Sequence, residues 1–134
     1  MSTILGIDPG LRVTGYGVIH QEKQKLTYES SGTIITTKQD LDLAARIKII
    51  VAGIDEVIEK FSPSIVAIEK MFVNTNPQST LLLGQARGAA IAAVVSKEIN
   101  IYEYTALQIK KSVVGNGHAD KLQVQTMVQR LLKL

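Results

Sequence analysis

The sequence predicts an α/β fold: a five-stranded mixed sheet, three antiparallel strands followed by two parallel ones, flanked by helices. Three observations carry this expectation. Three β-rich segments joined by short connections open the chain, and short connections imply an antiparallel meander. The apolar spacing then changes to a helical period. After that change, short apolar segments alternate with helical ones, the pattern of crossover connections and parallel pairing.

The first strand is read as Ile4–Asp8, with Pro9-Gly10 and Leu11-Arg12 forming the turn after it. Val13 to His20 alternates as a second strand, with Gly15 and Gly17 where a backbone or ligand can approach closely. Lys25 to Thr37 is β-branched and polar, a third strand with Gly32 as its expected bulge. Leu43, Ile47, Ile50, Ile54, Val57 and Phe61 then form the buried stripe of an amphipathic helix. Asp40 or Asp42 can cap its start, and Pro63 closes the region after it. Ser64–Glu69 is a fourth strand, expected parallel to the first. Met71 to Pro77 is a polar loop carrying one aromatic, Phe72.

Residues 78–98 form a second helix that is apolar on nearly every face. Such a helix is buried on all sides, so one side is expected against the sheet and the other against a second subunit in a symmetric dimer. Arg87 with Gly84, Ala86 and Gly88 is expected to allow close helix approach there. Asn100–Thr105 is the fifth strand. A short helix over 106–114, a glycine-rich loop over 115–120 and a last helix from Lys121 complete the reading, as one domain over 1–134.

The chain has 134 residues, 46% of them hydrophobic, enough for a core that folds without staples. It contains no Cys, which excludes a disulfide framework and a Cys-based metal site. No apolar run approaches the roughly 20 residues that span a bilayer, and the N-terminus opens directly into a strand. The expectation is a cytoplasmic protein without membrane contact. Residues 1–96 carry nine basic and nine acidic side chains, whereas 97–134 carry six basic and three acidic. The net +3 therefore lies in the last third, where a polyanion partner is expected.

Two acids stand out. Asp8 ends the apolar run Ile4-Leu5-Gly6-Ile7, and Glu69 ends the run Ile65-Val66-Ala67-Ile68. An ionised carboxylate is expensive to bury unless a cation compensates it. Two apolar strands, each tipped with an acid and paired in parallel, would bring Asp8 and Glu69 together as a metal site. Such a site suits phosphoryl transfer. Two Mg²⁺ ions roughly 3.5–4 Å apart can activate a water and stabilise the leaving oxygen, and Mg²⁺ prefers oxygen ligands.

The order of elements is that of an RNase H-like domain, and the local motifs resemble one family closely: RuvC, the Holliday junction resolvases (crossover junction endodeoxyribonucleases). The matching stretches are Ile4-Leu5-Gly6-Ile7-Asp8-Pro9-Gly10, Val13-Thr14-Gly15-Tyr16-Gly17-Val18-Ile19, Ala67-Ile68-Glu69 with Phe72, Leu83-Gly84-Gln85-Ala86-Arg87-Gly88, and Val113 to Lys121 with Gln123-Val124-Gln125. A lone Ile-Asp-Pro-Gly would be weak, since actin-like ATPases open similarly. The Leu-Gly-Gln-Ala-Arg-Gly helix and the Gly-x-Gly-x-Ala-x-Lys loop make the match specific.

The resemblance implies a homodimer that binds four-way DNA junctions and nicks two opposing strands, using Mg²⁺ with Mn²⁺ as a substitute, alongside the RuvAB branch-migration motor. It implies that Asp8 and Glu69 are two of four metal-binding carboxylates. Phe72 corresponds to the aromatic that meets unstacked bases. Lys110 and Lys121 correspond to basic residues serving DNA binding and catalysis. No role is assigned to His118. The family pattern continues into a further helix bearing two more aspartates, absent from these 134 residues. Neither Glu103 nor Asp120 is expected to replace them. A protein ending at Leu134 is expected to bind junctions, cleave them poorly and leave an apolar strip uncovered on the sheet; a longer chain is expected to be a full resolvase.

Three classes of function follow. The first is a structure-selective endonuclease, and the second a catalytically incomplete dimer that binds junctions. The third is an actin-like ATPase. It fares badly, because such enzymes need two lobes and a second phosphate loop.

Overall fold

The computed structural model describes residues 2–23, 25–37, 40–69 and 76–104. The elements run β1 (Ser2–Asp8), β2 (Val13–Glu22), β3 (Lys25–Ile35), α1 (Leu43–Phe61), β4 (Ile65–Glu69), α2 (Pro77–Val95) and β5 (Asn100–Tyr104). The readings over 106–134 fall outside the described residues.

The sheet has five strands in the order β3-β2-β1-β4-β5. β1, β2 and β3 form the antiparallel meander. β4 then pairs parallel to β1, and β5 parallel to β4. The mixed sheet expected from the spacing is therefore the observed one.

Local chemistry sets the helix ends. Asp42, rather than Asp40, caps α1, its carboxylate accepting from the Ala45 N–H at 2.8 Å. Ser62 closes it in the left-handed region at φ 47°, and Pro63 follows. Asn76 caps α2 by accepting from the N–H groups of Gln78 and Ser79, and Pro77 stands in the first turn, where a missing N–H costs nothing. α2 ends at Val95, with a turn over 96–98.

Alternation along the strands separates two faces. Leu5, Ile7, Val18, Ile34, Val66 and Ile68 point to one face. They form a single buried cluster with Ile50, Ile54, Val57 and Ile58 of α1 and Ala86, Ala89, Ala90, Ala93 and Val94 of α2. Both helices thus cover the same face. The other face carries Ile4, Gly6 and Asp8 on β1, Gly15, Gly17 and Ile19 on β2, and Ile65, Ala67 and Glu69 on β4. Val13, Ile35 and Tyr102 are exposed on it.

Two expectations need correction. The bulge is not at Gly32. Pairing passes from Val18↔Ser30 to Ile19↔Tyr28, so Glu29 is the extra residue, and its carboxylate meets the His20 imidazole. Gly32 instead lies under Tyr16: a Cβ there would stand 2.6 Å from the phenol oxygen. The small residues of α2 also divide differently. Ala86 is fully buried against the core, and Arg87 turns to the ends of β4 and β5, so neither faces outward. The outer face of α2 is made of Leu81, Leu82, Gln85, Gly88, Ala92 and Val95, apolar but for Gln85, with Leu81 68% and Val95 53% exposed.

Candidate metal centre

β1 delivers Asp8 and β4 delivers Glu69, because each strand ends in an apolar run, Ile4 to Ile7 and Ile65 to Ile68, followed by an acid. The ladder runs Ile4↔Ile65, Leu5↔Val66, Gly6↔Ala67 and Ile7↔Ile68. Asp8 and Glu69 are the next residues on each strand. They therefore end neighbouring parallel strands, which lie about 4.8 Å apart, on the same face of the sheet. The register is pinned at the other end of the pair. There Ser64 donates both its N–H, at 2.9 Å, and its hydroxyl, at 3.2 Å, to the Thr3 carbonyl. A one-residue slip would send Glu69 into the helix-covered face.

Space is left around Asp8. Its cross-strand partner is Gly15, and a Cβ built there would only touch the Asp8 Cβ, at 3.9 Å. Gly17, Gly6 and Ala67 continue this shallow floor toward the sheet centre. Asp8 itself is exposed, so a hydrated cation can reach its carboxylate.

The turn after Asp8 is held from several sides. The Thr14 hydroxyl donates to the Gly10 carbonyl at 2.7 Å and accepts from the Gly10 N–H at 3.2 Å. The buried Thr36 donates its hydroxyl to the Leu11 carbonyl and its N–H to the Arg12 carbonyl. Gly10 is required by close approach, since a Cβ would lie 2.3 Å from the Val13 carbonyl oxygen. Sequence spacing marked Gly10 as a turn residue but gave no signal for the two threonines that fasten it.

The donor set fits a hard cation such as Mg²⁺: two carboxylates and open space for water ligands. Among the described residues no cluster of three His, Cys, Asp or Glu side chains occurs. Glu103 does not join the pair. It stands in register with Ile68 and so points to the opposite face from Glu69, where it pairs with Arg87. Phe72, Lys110, Lys121, His118 and Asp120 lie outside the described residues. No helix among the described residues is long and apolar enough to cross a membrane.

Comparison with known proteins agrees with this fold. The family model for crossover junction endodeoxyribonuclease RuvC matches residues 4–134. The RuvC of Nitrosomonas eutropha is 61% identical over 98% of this chain and 72% of its own length. That of a Janthinobacterium species is 63% identical over the same shares. The structure of T. thermophilus RuvC in complex with Holliday junction substrate superposes with a TM-score of 0.91 at 30% identity, covering 100% of this chain and 81% of that one. With the family model matching residues 4–134 and relatives of this identity covering 98% of the chain, the chain belongs to the RuvC family of crossover junction endodeoxyribonucleases.

Proposed function

We propose that this protein resolves four-way DNA junctions by metal-dependent hydrolysis of phosphodiester bonds in two opposing strands. The observation that carries this reading is the placement of Asp8 and Glu69, in register, at the carboxy ends of adjacent parallel strands. These two residues hold Mg²⁺ through hard oxygen donors, with Mn²⁺ as a substitute. The bound metal supplies Lewis-acid polarisation of the phosphoryl group and a nucleophilic water at neutral pH. The chain's own part is to fix the two carboxylates on a rigid sheet and keep the floor beside them low enough for a sugar-phosphate backbone.

Lys110 and Lys121 neutralise phosphate charge, so junction affinity falls as salt rises. Phe72 stacks on an unpaired base at the branch point, worth about 1–3 kcal/mol by analogy with single-strand binders. Two copies pair through the apolar outer face of α2, which matches paired cuts in a two-fold symmetric junction. The dimer acts in the cytoplasm with the RuvAB motor, residues 1–134 forming one domain of each copy.

The test is nicking of a synthetic four-way junction against a linear duplex of the same sequence, with Mg²⁺ and with a chelator. Junction-selective nicking that requires metal and is abolished in Asp8→Asn and Glu69→Gln, with junction binding retained, is the expected result. Nicking by Asp8→Asn at the parent rate would overturn it. A second reading is a junction-binding module. Junction binding without any metal-dependent nicking by the unsubstituted protein would support that one instead.

A further inference from the structure

Arg87 faces neither solvent nor an outer helix surface. Its side chain is 18% exposed and reaches from α2 to the carboxy edge of the sheet. There it does two things. Its Nε–H donates to the main-chain carbonyl of Glu69 at 3.3 Å, and its terminal nitrogen pairs with the Glu103 carboxylate. A planar guanidinium can satisfy both because its donors form a fixed fork. Glu69 is the last residue of β4, and Glu103 is the penultimate residue of β5. One side chain thus ties α2 to the ends of both parallel strands.

We propose that Arg87 is the positioning residue of the metal centre, locking the peptide that carries Glu69 so that its carboxylate is presented beside Asp8. This inference rests on the reading of Asp8 and Glu69 as metal ligands. Glu69 is paired with Tyr104 across the β4–β5 ladder, and Arg87 adds to that pairing a side-chain hold on the Glu69 carbonyl. Arg87 grips the carbonyl of that peptide from the helix-covered side, while the Glu69 side chain extends from the opposite face. Glu103 anchors the guanidinium and is thereby occupied away from the metal.

The sign of the effect separates this role from simple electrostatics. Removing a cation near a cation site should tighten metal binding by Coulomb's law. Loss of a clamp should weaken it, by about 10-fold for an outer-shell partner. The measurement is Mn²⁺ affinity by electron paramagnetic resonance in the absence of DNA, with thermal melts to establish folding. Arg87→Gln is expected to bind Mn²⁺ about 10-fold more weakly. Arg87→Lys, which keeps the charge but cannot span both partners, is expected to fall by a similar factor. Glu103→Gln is expected to weaken binding, and to add little when combined with Arg87→Gln. Unchanged or tighter Mn²⁺ binding in folded Arg87→Gln would overturn the proposal. If neither Arg87 variant folds, Glu103→Gln decides when read at high salt, where screening removes its direct charge effect, and unchanged affinity there overturns it. Asp8→Asn is measured in parallel. If Asp8→Asn leaves Mn²⁺ affinity unchanged, the carboxylate reading itself fails; if Asp8→Asn loses affinity and the clamp variants do not, only the clamp fails.

Discussion

Thr14 and Gly10 hold each other twice, the threonine hydroxyl donating to the glycine carbonyl and accepting from its N–H. The hydroxyl thus closes the turn that follows Asp8 from inside a buried position. Thr14→Val keeps the shape and removes both bonds, leaving two main-chain groups without that partner. The expected cost is about 1–3 kcal/mol in urea unfolding, together with slower junction nicking because the turn no longer fixes the end of β1. An unchanged unfolding midpoint would show that water replaces the hydroxyl without penalty.

Gly15 faces Asp8 across the ladder. An added methyl group makes ordinary contact with the Asp8 Cβ, so Gly15→Ala should bind Mn²⁺ as the parent does. Gly15→Leu should fill the space beside the carboxylate and weaken Mn²⁺ binding, with little change in melting temperature. Equal metal affinities in the two variants would mean that ligand water does not use this space.

Gly53 of α1 packs tightly against Ile34 of β3. A Cβ there would stand 2.7 Å from the Ile34 Cδ1 and 2.8 Å from its Cγ1. Two effects compete in Gly53→Ala. Helix propensity favours alanine by about 1 kcal/mol, whereas overpacking costs about 1–3 kcal/mol. Because two atoms of a branched side chain lie within 3 Å, overpacking should win and the variant should melt lower. Ile34→Ala should reverse the sign of the Gly53→Ala effect, which a double-mutant cycle reads directly.

Leu81 leads the exposed apolar outer face of α2. Leu81→Lys is expected to leave the subunit folded and shift its mass in sedimentation equilibrium from dimer to monomer. A dimer that survives this substitution at micromolar concentration would move the subunit interface elsewhere.

The seven described elements were legible because each repeats a short-range pattern: alternation in β2, the four-three spacing of α1, apolar runs in β1 and β4. Asp8 and Glu69 were legible for the same reason, as charges at the ends of runs that otherwise avoid charge. What escaped is what depends on a partner distant in sequence. α2 is apolar all round, so its spacing could not say which side Arg87 occupies; that follows from where β4 and β5 end. Gly32 looked like a bulge because glycine in a strand often is one, yet its cause is the Tyr16 ring on the neighbouring strand. The bulge falls at Glu29, a residue with no local signal for it, where the His20 side chain offers a partner.

The seam between β1 and β4 has a consequence for how the protein comes into being. On one side of it lies the meander β3-β2-β1, which can assemble through local hairpins; on the other lie β4 and β5, which join after the α1 crossover. Asp8 belongs to the half joined by local hairpins and Glu69 to the half joined by the crossover. Loop-closure entropy must be overcome before such distant segments meet. On the proposed reading, a chain with β4 detached therefore carries both acids and no metal centre. On the proposed reading of Asp8 and Glu69, cutting power is withheld until that long-range closure is complete.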